Sequence, residues 1–336
     1  MSGWREVLDD EERGALEDAA HPDWLAPMLA TLTDERFSDP DWIFERKLDG
    51  ERMLAFRRGD DVRLLTRNRK CANETYPEIV EALAGQACED FVVDGEIVAF
   101  DGDETSFSRL QDRMKITDAE EARASDVAVY FYLFDVLHAD GCRLDGLALR
   151  ARKKVLRELF DWNRRLRFTE HRNEEGEAFH AEACEKGWEG IIAKRADSRY
   201  RHDRSRDWLK FKCDEGQELV IGGFTEPEGE RIGFGALLVG VHEDGELRYA
   251  GKVGTGYDDE FLEEFRARLD EIEIDECPFA EEPSEASAHW VEPEYVGEFG
   301  FTEWTDDGKL RHPRFLGLRR DKDPEDVVRE QGEDDR

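Results

Sequence analysis

The sequence predicts an α+β protein of two domains: a mixed domain of alternating strands and helices, then a small β-barrel. Three observations carry this. A chain of 336 residues is long enough for two domains at roughly 150 residues each. Short β-branched and aromatic runs alternate with helix-period segments up to about Cys213. Beyond that point the chain turns Gly-rich and strand-rich with a single helical pattern, as a barrel does.

The elements follow in order. Residues 1–20 have helical composition but precede the first strong apolar pattern, which predicts an N-terminal extension. WIFERK, RMLAFRR and VRLLT (Trp42 to Thr66) are short β-rich runs divided by Asp-Gly and Gly-Asp-Asp turns. Tyr76 to Ala84 has helical spacing, and FVVDGEIVAF (91–100) and VAVYFYLFDVL (127–137) read as buried strands. Helical periodicity returns over 149–162 and 175–187, the second ending at Gly187 as a C-cap does. Residues 21–214 thus form the first domain. Residues 215–328 form the barrel, with one helix over Asp258 to Glu271 and an acidic loop over 276–287, and 329–336 are an acidic tail.

Composition bounds the function. At 39% hydrophobic the chain has an ordinary core content, so global disorder is excluded. Lys and Arg number 48 against 83 Asp and Glu, a net charge of −35, which excludes a uniformly basic nucleic-acid coat. Only 12 of the basic residues are Lys. A carboxylate-rich, Lys-poor surface suits a high-salt interior, where like-charge repulsion is screened over a few Å, so the chain reads as halophilic; a merely acidic mesophilic protein is the alternative. The six cysteines contain no C-x-x-C pair, which argues against a zinc ribbon and a disulfide framework and for a reducing compartment. No apolar run approaches membrane-spanning or signal-peptide character, so a cytoplasmic location and no membrane partner are expected.

Five segments could carry chemistry. Lys47 ends a strand and is followed by Asp49-Gly50, a setting in which desolvation or neighbouring cations lower an amine's pKa for attack on phosphorus; a solvated turn lysine is the ordinary alternative. In Val93-Asp94-Gly95-Glu96 an apolar strand delivers an acid at its end, or simply turns as a hairpin. Phe134 could offer a stacking face to a purine or be a core residue, and the buried acid Asp135 beside it needs a partner. Lys194 to Lys212 holds eight cations, among them Arg199, Arg201, Arg204 and Arg206, against three acids, a local excess that marks a polyanion site. Glu189 precedes this stretch as a candidate hard-cation ligand, and Trp208-Leu-Lys-Phe-Lys212 alternates so that Lys210 and Lys212 share a strand face. Arg319 and Lys322 lie in Leu318-Arg-Arg-Asp-Lys322, whose plain reading is a charged tail. The Gly-rich GKVGTG and GFG match neither phosphate-loop pattern, and neither H-E-x-x-H nor G-x-S-x-G occurs.

In order, ERKLDGER, LLTRNRK with YPE, VDGEIVAF, LFDVLHADG, WEGIIAKR, WLKFKC and LRRDK resemble the motifs of the covalent nucleotidyltransferases, and among them the ATP-dependent DNA ligases. HPDWLAPMLATLT, FSRLQDRM, GFGALLVGV, AGKVGTGY and LRHPRFLGLRRDKDPEDVV are similar to the ligase module of prokaryotic end-joining ligases of the ligase D type, over about residues 21 to 328. The resemblance implies an ATP-grasp-like nucleotidyltransferase (adenylation) domain followed by an OB-fold, in a minimal stand-alone enzyme that acts as a monomer. It implies ATP and Mg²⁺ or Mn²⁺ as cofactors and nicked duplex DNA as partner, with end-joining or repair proteins as further ones. Lys47 is implied to take AMP as a phosphoramidate, with Asp49 orienting it or its metal and Arg52 contacting ribose or nick phosphate. Arg67 would grip the nick 5′-phosphate, Glu96 bind ribose, Phe134 stack on adenine and Glu189 hold the metal, while Lys210 and Lys212 neutralise the α-phosphate and Lys194 assists. Arg319, Asp321 and Lys322 would orient pyrophosphate in the first step, before a hinge near 213–216 reopens the enzyme onto DNA. Lys70 and Cys71 depart from a turn where the family often has Gly. RNA ligation and capping-type guanylyl transfer share the lysine chemistry, and a non-catalytic end-binding protein is the reading from another class.

Overall fold

The computed structural model describes residues 3–330 except 34, 103, 214, 215, 228, 230, 286, 306 and 321. The chain divides into two compact units between Cys213 and Asp214.

The first unit carries two sheets. Its longer strands are β1 (Leu29–Leu32), β2 (Trp42–Arg46), β3 (Glu51–Arg58), β4 (Asp61–Thr66), β5 (Asp90–Asp101), β6 (Val129–Ala139), β7 (Leu166–Phe168), β8 (His171–Asn173), β9 (Gly190–Arg195) and β10 (Arg204–Lys212). Its helices include α1 (Pro77–Ala84), α2 (Phe107–Met114), α3 (Ala119–Ala124), α4 (Leu149–Leu159) and α5 (Gly176–Glu185). One sheet runs β6-β5-β3-β4, with β7 parallel to β6; the other runs β8-β2-β9-β10-β1, with β1 parallel to β10.

Period-two alternation decides what each face meets. On β10, Leu209 and Phe211 join Phe44, Ile191 and Phe179 of α5 in one cluster, while Trp208 turns to the opposite side with Leu54, Phe56, Phe134 and Tyr200. Burying one such Phe contributes about 1.5–3 kcal/mol, so the register of β10 is strongly held. The two sheets therefore meet through the Trp208 cluster, and Lys210 and Lys212, on Trp208's face, look into the space between them.

Residues 3–18, expected as an extension, belong to this packing. Trp4 is fully buried in the main core, and Glu17–Asp18 pairs with Cys142–Arg143. β5 does not turn at Asp94-Gly95; it continues with a register shift against β6 there, and the missing Cβ of Gly95 permits the close approach, since one would lie 2.5 Å from the Tyr132 carbonyl oxygen. Glu96 is accordingly mid-strand. Asp135, expected to mark a site, is held by Arg152 of α4 through two bonds of 2.7 and 2.9 Å, both side chains fully buried, so it is a core ion pair. Gly187 has φ +66°, as its capping role requires.

The second unit contains β11 (Gly216–Thr225), β12 (Leu237–Glu243), β13 (Glu246–Val253), α6 (Asp259–Glu271), β14 (Ala288–Gly300) and β15 (Arg314–Arg319). Its antiparallel sheet runs β13-β12-β11-β14, with β15 also on β14. Among the described residues this is an open path with no ladder joining its ends. α6 buries Leu262, Phe265 and Leu269 on the sheet.

Candidate active site

Lys47 leaves β2 with its backbone N–H on the Gly190 carbonyl, so the turn after β2 lies against the start of β9. That register brings the Lys47 ammonium onto the Glu189 carboxylate, the lysine side chain being 20% exposed. Gly50 closes the turn by close approach: a Cβ there would stand 2.2 Å from the Ile97 carbonyl oxygen of β5. Burial pushes Lys47 toward its neutral form and Lys212 repels it, but Glu189 and Asp49 outweigh both, so it titrates above an ordinary lysine. The lowered pKa expected from sequence is corrected by the carboxylate that the fold brings in.

Lys210 and Lys212 are half-buried on β10, opposite Ile192 and Gly190 of β9. Arg52, on β3, forks onto fully buried Asp94 at 2.5 and 2.6 Å, and Asp94 also accepts the Tyr200 hydroxyl. The guanidinium lies 4.5 Å from the Phe134 ring centroid and 5.8 Å from that of Trp208. Burial opposes the Arg52 charge, yet Asp94 raises its pKa above the usual guanidinium range. Glu96 stands opposite Arg52 in the β3–β5 ladder. Phe134 is only 7% exposed, with the Lys194 ammonium 4.2 Å from its ring centroid.

Lys194, on β9, is buried and bonded to Glu45 Oε2 at 2.5 Å, while Lys153 of α4 takes Oε1 at 2.6 Å. Burial and Lys153 pull Lys194 below an ordinary lysine against the pull of Glu45. Burial would raise Glu45, but the two ammoniums hold it below the usual carboxylate range. Sequence reading missed Glu45, Lys153, Asp94 and Tyr200 as site residues. Glu45 was recoverable, lying two residues before Lys47 on the same strand face; Lys153 sits in a helix of ordinary charge pattern and gave no signal.

Arg67 is half-buried just after β4, in a turn where Arg69 takes φ +61° and Lys70 N–H bonds back to Thr66 Oγ1. Arg199, Arg201, Arg204 and Arg206 are all exposed, Arg201 paired with Asp207 at 2.9 Å. In the second unit, Arg319 lies 3.3 Å from Glu298, and Lys322 bonds Glu218 at 2.8 Å. Asp321 and the hinge residues 214 and 215 lie outside the described residues. Cys184 and Cys213 form a disulfide, which corrects the expectation of unpaired thiols: α5 and the end of β10 bring their Cα atoms to 5.2 Å, a proximity that spacing does not reveal.

Two family models match: the ATP dependent DNA ligase domain over residues 27–212 and the ATP dependent DNA ligase C terminal region over 230–322. The chain is 37% identical over 318 residues to the "Multifunctional non-homologous end joining protein LigD" of Pseudomonas aeruginosa, covering 92% of this chain and 37% of that protein. It is 34% identical to the "DNA ligase" of Natronomonas pharaonis, covering 84% of this chain and 52% of the other. It thus spans about two-fifths to half the length of these relatives. The solved structure titled "mycobacterial DNA ligase D complexed with ATP and MES" superposes with a TM-score of 0.63 at 36% identity, covering 91% of this chain and 98% of that one. With the lysine, carboxylates and paired strand lysines in one place, and both family models matched in order, the chain belongs to the ATP-dependent DNA ligases.

Proposed function

We propose that this chain seals 5′-phosphate/3′-hydroxyl nicks in duplex DNA through an AMP carried on Lys47. The observation that carries the reading is Lys47 held against Glu189, with Asp49 and Lys212 close enough to act on its charge. Lys47 attacks the α-phosphate of ATP and pyrophosphate leaves; AMP then passes to the nick 5′-phosphate, and the 3′-hydroxyl displaces it. Lys210 and Lys212 meet the charge that grows on phosphate oxygens, and preorganised cations do this without reorganisation. Arg52, already forked by Asp94, presents the rest of its guanidinium to ribose or nick phosphate, and Arg67 takes the 5′-phosphate. Glu96 binds ribose, Phe134 stacks on adenine, and Lys194 supports the cation set on Phe134.

Glu189 and Asp49 are hard oxygen donors and fit Mg²⁺ or Mn²⁺, which supplies charge neutralisation on phosphate. A cation on Glu189 would also remove the carboxylate that keeps Lys47 protonated. On this reading residues 21–214 are the adenylation domain and 215–328 an OB-fold. Arg319 and Lys322 orient pyrophosphate, and exposed Arg199, Arg201, Arg204 and Arg206 contact DNA. The protein works as a monomer in a salty cytoplasm, with end-joining or repair proteins as partners.

Intact mass spectrometry of wild type and Lys47→Ala after incubation with Mg²⁺ and ATP or GTP tests this. An AMP adduct on wild type alone is expected. A GMP adduct would move the assignment to capping chemistry, and no adduct at any KCl concentration would leave an end-binding protein. Sealing of nicked DNA against nicked RNA then decides the substrate.

A further inference from the structure

The Cys184–Cys213 bridge is placed one residue from the proposed catalytic strand end. Cys213 follows Lys212, and its backbone N–H bonds the Glu189 carbonyl at 3.1 Å. Cys184 is partly exposed on α5, one helical turn after His180. His180 Nε2 lies 3.0 Å from the Lys212 carbonyl oxygen, which assigns that nitrogen as the donor and leaves Nδ1 as the acceptor. Cys184 Sγ lies 3.5 Å from Nε2 and 4.0 Å from Nδ1, so the imidazole stands beside the sulfur with its N–H edge nearer. A thiol beside an imidazole N–H and partly open to solvent is a setting that favours the reactive thiolate.

We propose that Cys184 and Cys213 are a reversible dithiol–disulfide pair, a covalent modification site whose oxidant is a low-molecular-weight disulfide, and that closing it pins the strand end carrying Lys212 to α5. Cys184 loses its proton to solvent and, as a thiolate beside the His180 N–H edge, attacks one sulfur of the small disulfide, expelling a thiolate and forming a mixed disulfide. Cys213, as thiolate, attacks the Cys184 sulfur and expels the second thiolate. Two protein thiols lose two electrons and two protons, which end on two small thiol molecules. The closed bridge encircles Glu189, Lys194, Lys210 and Lys212 in one covalent loop of 29 residues' separation. With the bridge open, the strand end loses its covalent tie to α5 and keeps non-covalent ones, among them His180 and Arg36 on the Lys212 carbonyl, the latter at 3.2 Å, and the Cys213 N–H on Glu189.

The coupling to catalysis rests on the lysyl-AMP reading, so the test separates the two. Full-length protein is equilibrated with oxidised or reduced glutathione, alkylated and peptide-mapped, and adenylate formation is timed in both states beside Cys184→Ser. A 184–213 linked peptide that appears with oxidised and vanishes with reduced glutathione is expected. Adenylate formation should fall roughly tenfold on reduction, below the roughly hundredfold that a 1 Å misplacement can cost. Cys184→Ser should match the reduced rate in both buffers, and His180→Gln should form the linked peptide more slowly. Absence of the linked peptide, or zinc retained by the thiols and blocking alkylation, overturns the redox pair. Equal rates in both states overturn its coupling to Lys212. No adduct in either state overturns the lysyl-AMP reading and the coupling with it, while the peptide map still decides the bridge.

Discussion

Glu45→Gln is the substitution with the sharpest expected outcome. Glu45 bonds Lys153 at 2.6 Å and Lys194 at 2.5 Å, with all three side chains no more than 3% exposed. Two ammoniums therefore depend on one buried carboxylate. Removing one partner of a buried pair costs about 3–5 kcal/mol. Part of this is retained: Lys153 keeps the Thr169 carbonyl at 2.7 Å, and the Lys194 ammonium stays 4.2 Å from the Phe134 and 4.1 Å from the Trp208 ring centroids, worth about 1–2 kcal/mol in such a desolvated place. The expected loss is about 3 kcal/mol, or a fall of about 6–12 °C in Tm for a unit of this size. Thermal unfolding followed by near-UV circular dichroism at fixed KCl measures it. Because the charges are buried, salt should rescue little of the loss. Adding Lys194→Met to Glu45→Gln should restore stability relative to the single variant. A loss under about 1 kcal/mol, or full rescue by KCl, would refute the reasoning, since it would place the triad in effectively solvated surroundings.

Gly50→Ala drives a Cβ to 2.2 Å from the Ile97 carbonyl oxygen and 2.8 Å from a Val98 methyl, so the turn bearing Lys47 and Asp49 must move; adenylate formation should drop by at least about tenfold, and an unchanged rate would show that the turn tolerates the shift. Arg52→Lys loses the fork onto Asp94, so both stability and nick sealing should fall, by about 1.5–3 kcal/mol in the first; a wild-type Tm would contradict this. Acid should weaken the first unit. Burial would raise Asp90, but His21, His138 and the Gly141 N–H hold it below the usual range, so its contribution is present above about pH 3.9 and fades as pH falls. Burial keeps His138 below an ordinary histidine despite Asp90, so the unfolded chain takes up a proton below about pH 6.5 before the folded one does, and stability falls with pH there. His202 acts oppositely: bonded to Asp145 and raised, it stabilises below about pH 6.5 and loses that contribution as pH rises through its folded value. Tm measured from pH 5 to 8 should therefore fall more steeply toward acid in His202→Gln and less steeply in His138→Gln, and identical slopes would refute both assignments.

The strands around the site were legible because period-two alternation is local: WLKFK announced two lysines on one face, and β10 presents them so. α5 was legible because helical periodicity is local too, its Gly187 stop matching the positive φ found just past the helix end. The 91–100 run reads as one buried strand and is one, β5; only the alternative hairpin at Asp94-Gly95 fails, because β6 accepts an irregular register there while β3 pairs straight through. Trp4 was hard to see as a core residue because little beyond Val7 and Leu8 is apolar near it in an acidic stretch; its burial also draws on elements more than a hundred residues away.

Residue types in order were enough to determine the chemistry on offer and the family: a strand-end lysine, an acid before a strand, paired strand lysines and a basic stretch in a chain of net charge −35. Tertiary structure decided which charges meet. Whether Lys47 is raised or lowered depends on Glu189, 142 residues away, and whether Lys194 faces solvent or a buried carboxylate depends on Glu45, 149 residues away. Pairing energies fall steeply with separation and rise with desolvation, and neither separation nor desolvation is written in sequence spacing. The same holds for Cys184 and Cys213, two unremarkable cysteines until a helix and a strand end are laid side by side.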